Sequence, residues 1–289
     1  NTSRLQPFLD YQSSSDIDHH LDAAIDWLAR SAVPAQRDEV VITNGAQHGL
    51  FSVLVAMLSP GDLLLTEALT YAPIRAMAER LGLRLASVAM DERGICPDAL
   101  TEICQDRAPK ALYLMPNLHT PTTLTIDIDR RTAIAEVARR HDLILIEDDV
   151  FGRLKPECPL PLASLAPERT IYITSISKCL SPGLRVGFVR TPAPHTTALR
   201  GAINLSCWMT PPLMVEIAAR WIADGTAERL TEAQRTEAAA RQALGTSILG
   251  AYNVQADPHG FHLWLRLPSH WSAGEFQTAA AKHGVEVTN

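Results

Sequence analysis

Lysine is scarce in this chain: only four of its 26 basic residues are lysine, and 32 acidic residues outnumber them all, for a formal net charge of −6. A nucleic-acid clamp needs a clustered excess of Lys and Arg, so the chain itself is not expected to grip phosphate backbones. Cysteines stand at 96, 104, 158, 179 and 207, an odd number with no Cys-x-x-Cys pair. A disulfide framework and a cysteine zinc site are therefore not expected. No apolar run reaches the roughly 18 residues of a membrane span, and no basic segment followed by an apolar one opens the chain. The expectation is a soluble, cytoplasmic protein. Repeats and low-complexity tracts are also missing.

What is present is a 46% hydrophobic composition, enough for one large domain or a large and a small one. Short apolar strands alternate with amphipathic helices. "EVVIT" (39 to 43), "DLLLTE" (62 to 67), "LRLASVAM" (83 to 90), "KALYLMP" (110 to 116), "LILIEDD" (143 to 149) and "TIYITSIS" (170 to 177) read as strands. "DAAIDWLA" (22 to 29), "HGLFSVLVAML" (48 to 58), "PIRAMAERLG" (73 to 82), "PDALTEICQ" (97 to 105) and "RRTAIAEVARRH" (130 to 141) read as helices. Strands apolar throughout and separated by such helices predict an α/β fold with a mostly parallel sheet covered on both faces. From about residue 208 the chain turns to long Ala-rich helices, the alternating "FHLWLRLP" (261 to 268) and the helix "AGEFQTAAAKHG". The expected division is a large domain over 1–207 and the start of a smaller α+β domain over 208–289. The chain begins without Met and stops in the strand-like "GVEVTN", so both ends are expected to continue.

In open α/β sheets, ligands sit beyond the carboxyl ends of the strands. Four such ends carry candidates. Gly45, Ala46 and Gln47 open a helix after the first strand, where free backbone N–H groups suit a phosphate; a plain strand-to-helix turn fits the same residues. Glu147-Asp148-Asp149 closes an apolar strand, and a helix cap, a metal ligand or the partner of a buried cation all fit a carboxylate there. Tyr71 follows a strand end and could stack on a planar ligand, although half-buried loop tyrosines are common. The fourth is "SISKCLSPGLRVGF" (175 to 188), where one of the rare lysines, Lys178, lies among Ser175, Ser177 and Arg185. A lysine amine can form an imine with an aldehyde where other positive charge and little water lower its pKa. Arg185 offers that charge and a bidentate grip on phosphate, and the serine hydroxyls add hydrogen bonds. A surface lysine beside a Pro-Gly turn leaves the joint occurrence of these segments unexplained. Phosphate cradle, imine lysine, strand-end carboxylate and stacking aromatic together describe a pyridoxal 5'-phosphate site.

"VVITNGAQHGL", "EALTYAPIRAMAERLGLRL", "RRTAIAEVARRHDLILIEDDVFG", "SKCLSPGLRVGF" and "WMTPPLMVEIAARWIADGTAERL" resemble the aminotransferase-like domain of MocR-type regulators of the GntR superfamily, within the aspartate-aminotransferase fold called fold type I. In that family a winged-helix DNA-binding domain precedes such a domain. The resemblance implies that Lys178 is the Schiff-base lysine and that Ser175, Arg185 and the backbone of Ala46 and Gln47 bind phosphate. It further implies that Tyr71 stacks on the ring and that Asp148, preferred to Asp149, pairs with the pyridine nitrogen. It also implies a homodimer, a small amino compound or amino acid as ligand, and contact with DNA only through a winged-helix domain outside this chain.

The chain departs from the family at Phe151, where relatives have a tyrosine that donates to the cofactor phenolate oxygen, which phenylalanine cannot do. It departs again at Thr120, where an asparagine would bond the same oxygen. Relatives show a glycine and an arginine where this chain has Asp16 and Leu21, and the family's carboxylate-binding arginine falls beyond Asn289. Lost donors affect chemistry more than binding, so the expected function is effector sensing for a transcriptional regulator, with weak or absent transaminase activity. A catalytic aminotransferase and a decayed pseudoenzyme are the alternatives. His19-His20 and His259-x-x-His262 lack a third ligand within reach in the sequence, so no metal site is expected. Trp208, Trp221 and Trp264 are expected as core or interface anchors, and Cys179 as an unactivated thiol.

Overall fold

The structure, a computed structural model, describes residues 6–11 and 18–288. Its first half runs α1 (Asp18–Ala29), β1 (Val40–Thr43), α2 (Ala46–Met57), β2 (Leu63–Glu67), α3 (Pro73–Arg80), β3 (Arg84–Val88), β4 (Met90–Asp91) and β5 (Gly94–Ile95). There follow α4 (Pro97–Arg107), β6 (Ala111–Leu114), α5 (Ile128–Arg140), β7 (Ile144–Asp148), α6 (Leu162–Leu165), β8 (Thr170–Ser175), β9 (Gly187–Arg190) and α7 (Ala193–Cys207). The chain continues through α8 (Pro212–Ala223), α9 (Thr226–Leu249), β10 (Val254–Gln255), β11 (Trp264–Leu265) and α10 (Ala273–Lys282).

The main sheet has the order β1-β9-β8-β7-β6-β2-β3, with β9 antiparallel to both neighbours and the remaining pairings parallel. The expected mostly parallel sheet is thus observed, and the pleat explains why its strands are apolar throughout. Successive side chains point to opposite faces, and both faces are covered. Leu64, Tyr113 and Ile146 enter one core with Trp27 of α1, Leu54 of α2, Ile74 of α3, Leu199 of α7 and Ile222 of α8. Leu63, Leu65, Leu112, Leu114 and Leu145 enter the other core, with Leu100 of α4 and Ile134 of α5. The same alternation separates the two acidic residues that end β7. Glu147 points with Leu145, and its carboxylate accepts from the backbone N–H of Leu162 (3.0 Å) and Ala163 (2.8 Å), capping α6. Asp148 points with Ile146, toward Tyr113.

Several boundaries differ from the sequence reading. Only Trp264–Leu265 of "FHLWLRLP" is strand, pairing with β10, and residues 285–288 of the final alternating stretch form no regular element. Alternation alone does not make a strand where no neighbour is available to pair. Asp16 lies outside the described residues, while Leu21 is a buried core residue of α1.

Candidate cofactor site

The carboxyl ends of β1, β2, β6, β7 and β8 lie along one edge of the sheet, and each delivers a segment to the same place. Thr43 of β1 and Ser175 of β8 both pair with Gly187 of β9, which aligns the start of α2 with the Lys178 segment. The approach is close: a Cβ on Gly187 would stand 2.7 Å from the Gly45 carbonyl carbon and 2.9 Å from the Ala46 nitrogen. Gly45 itself has φ +80°, and a Cβ there would lie 2.6 Å from Nη2 of Arg185. The guanidinium therefore rests against bare backbone where α2 begins.

Three donors converge at this point. α2 has no side-chain N-cap, so the N–H groups of Ala46 and Gln47 are left to solvent or a ligand. Arg185 makes no side-chain hydrogen bond or ion pair among the described residues, and its backbone holds φ 53°, ψ 41° in the left-handed region. Ser175 is buried, its Oγ accepts from Ser177 N–H at 3.4 Å, and it donates to no group among the described residues. The Ser177 contribution is thus a backbone one; its hydroxyl bonds nothing among the described residues. Two cationic or dipolar groups and a hydroxyl around a glycine-lined gap form a phosphate cradle.

Across the cradle, Asp148 is buried, and Oδ2 accepts from the Tyr113 hydroxyl at 2.8 Å. Oδ1 is also buried and has no hydrogen-bond partner among the described residues. Burial pushes the carboxyl up to about 7; Asp149 and Glu67 add to the effect, while Tyr113 and Lys178 oppose it. Buried polar atoms are nearly always satisfied, so an orphaned oxygen at a strand end points to a donor that arrives with a ligand. Asp149, by contrast, is saturated: Asn117 Nδ2 (3.0 Å), Gly152 N–H (2.8 Å) and the Tyr172 hydroxyl (2.7 Å) all donate to it. Asn117 is itself held by Arg131 at 2.6 Å, within a wholly buried structural network.

Lys178 is half-buried and makes no hydrogen bond among the described residues; its Nζ stands 5.3 Å from the centre of the Phe151 ring. Phe151 is buried and touches Phe261 (6.1 Å) and His262 (5.8 Å) between ring centres. Nε2 of His262 reaches the His119 carbonyl at 3.1 Å, and burial lowers the imidazole pKa. The segment after β10 thus packs on Phe151, the ring that the lysine amine faces. Tyr71 is half-buried, and its pKa is raised by burial and by Asp148 and lowered by Arg185, which sets the phenol in the field of both. Thr120 is half-buried in the turn after β6, and its hydroxyl bonds nothing among the described residues. The structure brings Gly45, Ala46, Arg185 and Ser175 together, and Asp148, Lys178 and Phe151 alongside them. No hydrogen bond ties the Thr120 side chain to that group among the described residues.

Sequence reading missed Tyr113, the support of Asp148, and His262, which packs on Phe151. A hydroxyl in the otherwise apolar "KALYLMP" was the available signal for the first; the second depends on a fold-back from a distant segment and left none. Cys179 is fully buried and its thiol is pushed up to about 12, which leaves it inert. Trp208 is 64% exposed, so it is not a core anchor within the chain. Trp221, by contrast, packs partly buried against the first core.

An orphaned carboxylate oxygen opposite a phosphate cradle, with a lysine amine beside it, fits pyridoxal 5'-phosphate. Comparison with known proteins agrees. The family described as aminotransferase class I and II matches residues 4–289. The HTH-type transcriptional regulator YdeF of Bacillus subtilis (strain 168) is 31% identical over 268 residues, 92% of this chain and 58% of that one. The mitochondrial kynurenine/alpha-aminoadipate aminotransferase of Bos taurus is 29% identical over 252 residues, 79% of this chain and 59% of that one. The chain thus spans a little under three-fifths of each of these curated relatives. Among solved structures, the alpha-aminoadipate aminotransferase LysN of Thermus thermophilus, complexed with N-(5'-phosphopyridoxyl)-L-leucine, gives a TM-score of 0.86 at 25% identity, covering 98% of this chain and 76% of that one. The resemblance to HTH-type regulators expected from the sequence blocks is borne out, and the chain belongs to the class I and II aminotransferase family, with its fold type I architecture.

Proposed function

We propose that this chain is the pyridoxal-phosphate-binding effector domain of a transcriptional regulator, in which the cofactor and an amino compound set the conformation offered to a DNA-binding partner domain. When bound, pyridoxal phosphate supplies an aldehyde that condenses with an amine and a protonated ring that withdraws electrons. Lys178 Nζ would supply that amine. Asp148 Oδ1 would accept the pyridine N–H and hold the proton there. Arg185, the Ser175 hydroxyl and the N–H groups of Ala46 and Gln47 would hold the phosphate, and Tyr71 would cover the ring face.

One observation favours sensing over turnover. The Lys178 amine faces the Phe151 ring at 5.3 Å, a surface with no hydroxyl to give or take a proton. Binding groups are kept, while a group that would tune the proton at Nζ is missing. The same reading includes a homodimer in the cytoplasm, a large unit over 1–207 and a smaller one from 208, and DNA contact through a winged-helix segment of the intact protein. Two measurements test it. Mixing the loaded protein with a panel of amino acids should convert little or none of the cofactor to its amine form. The affinity of the intact protein for its own promoter should change severalfold when pyridoxal phosphate and the matching amine are added. Rapid conversion of the cofactor, with promoter affinity unmoved, would assign the chain to catalysis instead.

A further inference from the structure

A second cluster of ligating groups lies away from the cofactor site, where α1 crosses α8. His19 and His20 are consecutive residues in the first turn of α1, and adjacent helical positions do not ordinarily face one target. Here both do. Nε2 of His19 lies 2.6 Å from Oε2 of Glu216, and Nε2 of His20 lies 3.0 Å from the same oxygen. One ligand atom from each residue lies within 4.8 Å of the other two. The rings are tilted with centres 4.1 Å apart, and the Phe8 ring covers both at 6.4 and 6.1 Å.

The chemistry and size of this gap suit one kind of ion. Two imidazoles and a carboxylate select divalent transition metals over Mg²⁺ or Ca²⁺, which take oxygen ligands. Bonds of about 2.0–2.1 Å around a tetrahedral ion set ligand atoms about 3.3 Å apart. The present 2.6 and 3.0 Å separations reach that value with sub-ångström outward shifts. The other carboxylate oxygen, Oε1, is already held by Arg220 Nε at 2.6 Å, so an outer partner fixes the orientation of Glu216. His20 and Glu216 have side chains 1% and 9% exposed and His19 is 55% exposed, so among the described residues the cluster is reached from solvent on the His19 side.

We propose that His19, His20 and Glu216 form a binding site for a divalent transition-metal ion, separate from the cofactor site and joining α1 to α8. No local spacing marks it, because the third ligand is 196 residues from His20.

The test uses chelator-treated protein loaded with pyridoxal phosphate, titrated with ZnCl₂ by calorimetry and with Co²⁺ by visible absorbance. One ion per chain is expected, with Co²⁺ bands of four-coordinate type and no thiolate charge-transfer band. His19→Ala, a substitution at an exposed position, and Glu216→Gln should each weaken Zn²⁺ binding tenfold or more while cofactor loading stays unchanged. Three results would overturn the proposal. They are no uptake at millimolar Zn²⁺, equal uptake by His19→Ala, and a thiolate band pointing to exposed Cys207, whose Sγ lies 3.7 Å from His48 Nε2.

Discussion

Replacing Asp148 with asparagine separates what the bare protein tolerates from what the loaded protein needs. Burial raises the Asp148 carboxyl from its ordinary 3.8 to about 7. The folded state therefore keeps a proton that the unfolded chain has released, so stability falls as pH rises between these values and the full penalty is present above 7. Between pH 5 and pH 8 the folded protein crosses about two pH units of that window, or roughly 3 kcal/mol at 1.36 kcal/mol per unit. Asparagine has the same shape, can still accept from the Tyr113 hydroxyl now at 2.8 Å, and does not ionise. Urea unfolding of the cofactor-free proteins should thus show the variant gaining on wild type by roughly 3 kcal/mol from pH 5 to pH 8. Cofactor affinity should move the other way. A charge-assisted hydrogen bond from the pyridine N–H is worth roughly 1.5–3 kcal/mol, so the variant should bind pyridoxal phosphate about 10- to 100-fold more weakly. Parallel pH dependence in the two proteins, or unchanged cofactor affinity, would refute the role given to Oδ1.

Three further outcomes are expected. Restoring the family donors with Phe151→Tyr and Thr120→Asn should lower the pH at which the bound cofactor's visible absorbance changes, by roughly one to two pH units per effective donor; an unmoved midpoint would show that the missing donors are already replaced. Gly45→Ala places a Cβ 2.6 Å from Arg185 Nη2 at φ +80°, so it should cost about 1–3 kcal/mol in strain and weaken cofactor binding about tenfold or more, read by spectroscopic titration. Light scattering of the loaded protein at micromolar concentration should give the mass of a dimer, and a monomer would contradict the proposed assembly.

Much of the fold was legible because the pleat and the helical period leave direct marks. Strands buried on both faces read as unbroken apolar runs, and "LILIEDD" showed both the strand and its acidic end. Alternation along β7 already separates Glu147 from Asp148; the partner that each meets required the neighbouring elements. Arg185, Lys178 and the start of α2 were visible as local motifs, each lying within a few residues of a strand end. The remainder came from distant chain segments. Tyr113 supports Asp148 across two adjacent strands, His262 folds back over Phe151, and Glu216 joins His19 and His20 across two helices. No local pattern encodes such pairings, so single-sequence spacing left the histidines without a third ligand.

The proposed function depends above all on Lys178 being the amine that meets the cofactor. Borohydride reduction of the protein incubated with saturating pyridoxal phosphate, followed by proteolysis and peptide mass analysis, tests it directly. Reduction should fix one cofactor per chain on the peptide containing Lys178 and none on those containing Lys110, Lys155 or Lys282. A cofactor found on another lysine, or no adduct at saturating cofactor, would rule out Lys178 as that amine.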